Sequence, residues 1–330
     1  MSIDSEKVTG RNQSRTQSGL ELSKTSGCDY VLITPARNEA QFIESTIKSV
    51  VAQTKHPQRW VIVSDGSTDR TNEIVQAYAA RYDWIELIAT PERNERHFAA
   101  KVAAFNLGWT KVTDVSYDVI GNLDADISFD DPTYFEFLME QFIDCPRLGV
   151  AGTAFREGNI LYPAKVHSMS DVFGACQMFR RKCFEEIGGY TAVRGGGIDM
   201  IAVLAAQAAG WQTRTFSERV CIHHRAAGTA HCSGSISRLF QTGCKDYILG
   251  SHPVFEAFRS LYQMTNKPYV IGGALMLIGY LWAGSRRITR PIPQRLVDVR
   301  RKVQMSRLLE LARQPLSSHT GNRATSRQTT

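Results

Sequence analysis

Two carboxylates spaced two residues apart, Asp124 and Asp126, follow the run Asp118 to Leu123, which reads as a strand ending in a loop. Acids at i and i+2 just beyond a buried strand can share one hard divalent cation, leaving its other coordination positions to phosphate oxygens and water. The same pair also describes an Asp-rich turn, in which the side chains bond nearby backbone, and the spacing alone leaves both open. A calcium loop of the EF-hand kind is excluded. Counted from Asp124 it needs Gly sixth and Glu twelfth, where the chain has Phe129 and Phe135.

Four further places carry chemistry. Asn38 and Glu39 follow Thr34-Pro35, and Asp65 opens Asp65-Gly66-Ser67-Thr68-Asp69. Lys101 sits in a helical pattern, and Asp199 follows the loop Arg194-Gly195-Gly196-Gly197 at the head of a helix running to Ala209. Asp65 can accept a base N–H or make an Asx-type turn before its glycine. Lys101 can reach phosphate or simply face solvent. Asp199 can take a proton from an incoming hydroxyl or cap its helix.

The elements that must position these residues alternate. Tyr30 to Thr34, Trp60 to Ser64, Trp84 to Ile88 and Asp118 to Leu123 read as strands. Between them lie helical patterns marked by Phe42, Ile43, Thr46, Ile47 and Val50, by Ile74, Val75, Tyr78 and Ala79, and by Phe98 to Trp109. Such βα alternation predicts a mostly parallel open sheet flanked by helices. Ligands of open sheets bind beyond the carboxyl ends of the strands, where Asn38-Glu39, Asp65 and Asp124-Asp126 would meet.

No Gly-x-Gly-x-x-Gly follows a strand and no Gly-Lys-Ser/Thr loop appears, which argues against Rossmann dinucleotide and P-loop sites. Seven cysteines form no regular framework and suit a reducing compartment, so a cytoplasmic location is expected. The net charge of +7 concentrates between Arg286 and Arg313. No aromatic-interleaved sheet or recognition helix accompanies it, and nucleic acid is not an expected partner.

The stretches Thr34-Pro35-Ala36-Arg37-Asn38-Glu39, Ser64 to Asp69, Lys101 to Gly108 and Asp124-Ala125-Asp126, then Gly174 to Arg181 with Gly188-Gly189-Tyr190, and Gly197-Ile198-Asp199, occur in that order. Together they resemble the family 2 inverting glycosyltransferases with a GT-A type fold, over roughly Asp29 to Thr229. The resemblance implies that Pro35, Asn38, Glu39, Asp65, Lys101 and Asp124 line the site of a nucleotide-sugar donor, a UDP-sugar being favoured. It implies that Asp124 and Asp126 hold Mg²⁺ or Mn²⁺, with His224 approaching the metal or diphosphate, and that Asp199 is the catalytic base. Gly174, Arg180 and Arg181 would form the acceptor side. Family members often carry Asp or Asn where this chain has Ser64, and Glu where it has Ile198. The Gln-x-x-Arg-Trp motif of processive relatives is missing near Ser237 to Gln241, which argues against polymer synthesis. Two rivals stay in view: a sugar-phosphate nucleotidylyltransferase, whose Gly-rich N-terminal loop is absent, and a catalytically silent, membrane-docked nucleotide-sugar binder.

The uncharged run Tyr269 to Gly284 falls short of the ~20 residues that cross a bilayer. It fits an interfacial segment or a helix packed on the protein, and the arginines after it would meet anionic lipid. The expected layout is a disordered tail over 1–28, a catalytic domain over 29–235, a membrane-associating helical region over 236–313 and a second tail over 314–330. A lipid-linked or glycan acceptor at the inner face of the membrane is the matching expectation.

Overall fold

The computed structural model describes residues 27–92, 98–158, 160–162, 169–193, 196–225 and 235–313. The two expected tails lie outside these residues except for Gly27 and Cys28, and Cys28 is already part of the buried core. Four apolar runs become β1 (Tyr30–Ala36), β2 (Arg59–Asp65), β3 (Ile85–Thr90) and β4 (Val119–Leu123). They alternate with α1 (Ile43–Val51), α2 (Thr71–Ala79) and α3 (Phe98–Thr110). The runs are apolar throughout because both faces of the sheet are covered. Along β1, Tyr30 and Leu32 pack with Ile43 and Ile47 on one face, while Val31 and Ile33 pack with Phe105 and Phe184 on the other.

Among the described residues nine strands make one sheet, in the order β3-β2-β1-β4-β8-β6-β9-β5 with β7 (Ile160–Tyr162) beside β6. The remaining strands are β5 (Ile127–Phe129), β6 (Leu148–Glu157), β8 (Cys176–Arg180) and β9 (Gln212–His223). β3, β2, β1 and β4 are parallel, as the βα alternation predicts. β8 runs antiparallel to β4, and β5 antiparallel to β9. The chain order reverses at β1, with β2 on one side and β4 on the other, and a crevice opens there. β4 leaves β1 after Ile33↔Asn122, so Pro35, which has no N–H to give, lies past the last paired residue on that side.

Among the described residues four helices follow α4 (Tyr134–Asp144), α5 (Arg181–Glu186) and α6 (Ile198–Ala208). They are α7 (Ser235–Ile248), α8 (Pro253–Met264), α9 (Ile271–Ser285) and α10 (Gln294–Arg313). This region is anchored to the sheet domain. Leu249, Leu296 and Val297 form one apolar cluster with Val193, Ile201 and Leu204. α9 lies so close to its neighbours that a Cβ added at Gly243 would sit 1.9 Å from the Met276 carbonyl oxygen, and one at Gly273 2.0 Å from that of Ser260. Its other side exposes Ile271, Ile278, Leu281 and Trp282, so the apolar run is packed along one face and open along the other. Among the described residues no helix is long and apolar enough to cross a membrane.

Candidate active site

The crevice is built from three loops tied to one another. The Asn38 N–H donates to Ser67 Oγ at 3.0 Å, and Asn38 Oδ1 accepts from the Thr68 N–H at 2.8 Å. Asn38 holds a positive φ of 55°, a conformation asparagine tolerates better than most residues. The Glu39 N–H donates to Thr71 Oγ1 at 2.8 Å, and Asp69 accepts from the Ala40 and Thr71 N–H groups. Burial works against the Asp69 charge, but these bonds and the Thr71 hydroxyl hold its carboxyl below the ordinary range. Ser64 donates to Ser67 Oγ at 2.8 Å inside the loop, and Asp65 is buried at the end of β2. Pro35 is partly exposed within the last turns of β1.

At the end of β4, Lys101 Nζ lies 2.5 Å from Asp124 Oδ1. Burial opposes the Lys101 charge, yet Asp124, with Asp199 and Asp126 beyond it, raises its ammonium above the ordinary lysine value. For Asp124 burial dominates and pushes the carboxyl up in spite of Lys101. Burial also acts on Asp126, but His223 and then Arg225 and Lys101 outweigh it and hold that carboxyl low. Two carboxylates therefore sit among Lys101, Arg225 and the His223 imidazole.

Asp199 joins them through Gly174. Asn122 Nδ2 donates to Asp124 Oδ1 at 3.3 Å and to the Gly174 carbonyl at 3.1 Å. A Cβ added at Gly174 would lie 3.0 Å from Asp199 Oδ2. The N-cap of α6 is Gly197, in the left-handed region at φ 86°, so Asp199 stands inside the first helical turn and is not the cap residue. Gln177 donates to the Asp199 carbonyl at 3.3 Å and to the Val172 carbonyl at 2.8 Å, and accepts from the Tyr190 hydroxyl at 2.9 Å. Ile198 is buried.

Three expected placements change. Arg180 and Arg181 do not face this crevice. β8 runs against β4, so Arg180 pairs with Val119 while Cys176 pairs with Leu123, and four steps of strand carry the arginine roughly 13 Å from the aspartate end. Arg180 instead donates to the carbonyls of Phe142 and Cys145, satisfying the end of α4, and to that of Leu148. Arg181 bonds Glu185 at 2.8 Å and lies over the Tyr117 ring. His224 is turned away as well, with Nε2 2.8 Å from Ser128 Oγ. Alternation at the end of β9 brings His223 round instead, 3.5 Å from Asp126 Oδ2 and 3.6 Å from Glu157 Oε2. Burial opposes its charge, but Asp126, Asp124 and Glu157 raise the imidazole above its ordinary value.

Arg225 completes the enclosure and has no motif to announce it. It pairs with Glu39, sits 3.7 Å from Asp126 Oδ2 and lies over the Phe42 ring. Asn122 carried a signal, since position i−2 from Asp124 shares its side of the chain in extended backbone. His231 and Cys232, which with Cys221, His223 and His224 have side chains of the types that zinc prefers, lie outside the described residues.

Among the described residues no group of three or more His, Cys, Asp and Glu side chains is arranged to hold a metal. Mg²⁺ is commonly held by one or two carboxylates with phosphate and water completing its shell, and Asp124 and Asp126 fit that smaller donor set.

Residues 31–170 match the family model described as glycosyl transferase family 2. Curated relatives include the poly-beta-1,6-N-acetyl-D-glucosamine synthase of Staphylococcus epidermidis, 30% identical over 129 residues, which is 39% of this chain and 28% of that protein. The enzyme of the same name from Staphylococcus aureus strain COL is 30% identical over 130 residues. This chain thus spans under a third of the length of those relatives. Among solved structures, a mannosyltransferase from Pyrobaculum calidifontis in complex with GDP-Man and Mn²⁺ superposes with a TM-score of 0.53 at 17% identity, covering 87% of this chain and 81% of that one. S. aureus TarS 1–349 in complex with UDP-GlcNAc gives 0.50 at 12% identity, over 79% and 74%. Residues 31–170 thus resemble glycosyl transferase family 2, and the sheet with its flanking helices has the GT-A type of fold.

Proposed function

We infer that this chain transfers a sugar from a nucleoside-diphosphate donor to an acceptor hydroxyl, with inversion at the anomeric carbon. The observation that carries the reading is the meeting of Asp124, Asp126, Lys101 and Asp199 at the carboxyl end of β4, beside loops from β1 and β2. Asp65 and the Asn38-Glu39 turn are suited to the nucleoside, whose polar edges need partners in a half-buried slot. Asp199 takes the proton of the acceptor hydroxyl as its oxygen bonds to the anomeric carbon. The bond from that carbon to the diphosphate breaks in the same step, and its electron pair leaves on the phosphate oxygen. Lys101 stands where negative charge gathers, and Arg225 and His223 add to the field. Mg²⁺ or Mn²⁺ held by Asp124 and Asp126 would supply Lewis-acid stabilisation of the leaving diphosphate.

A lipid-linked or glycan acceptor at the cytoplasmic face of a membrane fits the exposed side of α9 and the arginines that follow it. An amphipathic helix can lie in the headgroup plane with its apolar side inserted, assisted by basic residues. The test is a panel of nucleotide sugars scored for metal-dependent protection against thermal unfolding, in the native chain and in Asp126→Ala. Protection by one donor, lost in the variant, supports the reading. Protection without any turnover would leave a silent binder, and no protection by any donor would overturn the transferase assignment.

A further inference from the structure

Residues 170–174 run past Asp199 as irregular chain between β7 and β8, and four of their carbonyls take hydrogen bonds from side chains on α6, β9, β8 and β4. Ser170 accepts from Gln207 of α6 and Thr213 of β9, and Asp171 from Thr215 of β9. Val172 accepts from Gln177 of β8 at 2.8 Å, and Gly174 from Asn122 of β4 at 3.1 Å. Backbone outside helix and sheet needs such partners, so side chains do here what a neighbouring strand does elsewhere. Asn122 and Gln177 stand opposite one another in the antiparallel pair of β4 and β8, and their side chains emerge on one face. Asn122 reaches Asp124 Oδ1 at 3.3 Å, on the donor side. Gln177 reaches the Asp199 carbonyl at 3.3 Å, on the side of the base.

Gln177 is fully buried, and its partners set which way its amide points. Nε2 faces the carbonyl oxygens of Val172 and Asp199, while Oε1 accepts from the Tyr190 hydroxyl at 2.9 Å. The reversed amide would set oxygen against oxygen twice. Tyr190 is buried too, and burial, followed by the charges of Asp199 and Asp124, raises its phenol above the ordinary value, so it keeps the proton it donates. The loop that Gln177 pins is the one whose Gly174 passes the Asp199 carboxylate, so one side chain holds both the backbone that bears the base and the wall beside it. A lysine in its place would weaken the base by stabilising its charge, and a carboxylate would face two carbonyl oxygens with no proton to give. An uncharged side chain with two donors and an acceptor avoids both.

We propose that Gln177, seated by Tyr190, is the positioning residue of Asp199, and that its strand partner Asn122 ties the same loop to the donor aspartate. The proposal rests on the transfer reading above, so the effect of Asp199→Asn is measured beside it. Turnover of the full chain is read as nucleoside diphosphate released, with water as the acceptor, from whichever of UDP-glucose, UDP-N-acetylglucosamine and GDP-mannose protects the native chain. Gln177→Met leaves the Tyr190 hydroxyl buried without its acceptor, so it is expected to lower both kcat and the melting temperature. Adding Tyr190→Phe removes that orphan. The melting temperature is then expected to recover while kcat stays down by roughly 10²-fold at unchanged donor KM, the loss that follows when a reacting group stands about 1 Å out of place. In the Asp199→Asn background the double change is expected to lower kcat no further, because it acts through that carboxylate. Recovery of kcat together with the melting temperature, or a further fall in the Asp199→Asn background, would make the amide a structural support and overturn the proposal. A native chain that releases no diphosphate, or Asp199→Asn turning over as fast as the native chain, would count against the transfer reading instead. Crystal structures then decide the positioning: the double variant is expected to shift the Asp199 carboxylate by about 1 Å or more with Asp124 in place, and an unmoved carboxylate would overturn it.

Discussion

In the proposed transfer Asp199 takes the proton of the acceptor hydroxyl, a task its amide could not perform. Asp199→Asn is expected to lower turnover about 10²- to 10⁴-fold with donor affinity unchanged, measured by steady-state kinetics beside nucleotide-sugar titration. A Cβ at Gly174 would press on that carboxylate at 3.0 Å, so the larger Gly174→Val should displace it and reduce turnover in the same assay. Arg180 makes the opposite prediction from the one its motif suggests. It serves three carbonyls at the end of α4 and the start of β6, so Arg180→Ala should cost about 1–3 kcal/mol in denaturant unfolding and leave acceptor KM alone. The aspartates after β4 were legible because a run buried on both faces must end in a polar loop. Arg225 was not, because its role comes from Glu39 and Phe42, which lie 186 and 183 positions earlier and meet it only in the fold.

At the scale of elements, β1 to β4 and α1 to α3 could be read from runs and periods. β5, three residues long, offers too little pattern to identify. β8 is visible as an apolar stretch, but its direction depends on where the chain has travelled since β6, which no local pattern records. That unread direction is the physical source of the error over Arg180 and Arg181. The C-terminal run likewise read as short of a bilayer crossing and was too uniform to tell its packed side from its open one. Close backbone contact decides it. Gly243→Ala should force α7 from α9 and cost about 1–3 kcal/mol in thermal unfolding. The open side predicts that Leu281→Glu combined with Trp282→Glu will reduce sedimentation with anionic vesicles while the melting temperature stays put.

For the molecule as a whole, the C-terminal helices carry a pH dependence. Glu256 is fully buried on α8, where burial and the nearby Asp246 raise its carboxyl to about 7 against Arg259 and Arg300. A carboxyl whose folded value exceeds its unfolded one keeps its proton longer in the native state, so stability falls as pH rises from about 4.5 through about 7. Glu256→Gln should flatten that slope and raise stability at pH 8 by on the order of 3 kcal/mol, with little effect below pH 4.5, followed by urea titration across pH.

The reversed strand β8 has a consequence for how such molecules diversify. Gly174, entering β8, and Asp124, leaving β4, are brought together across a seam between two long segments of chain. Everything assigned to the nucleotide precedes that seam, apart from His223 and Arg225, and everything assigned to the acceptor follows it. Chimeras spliced between β7 and β8 should therefore inherit donor choice from one parent and acceptor choice from the other.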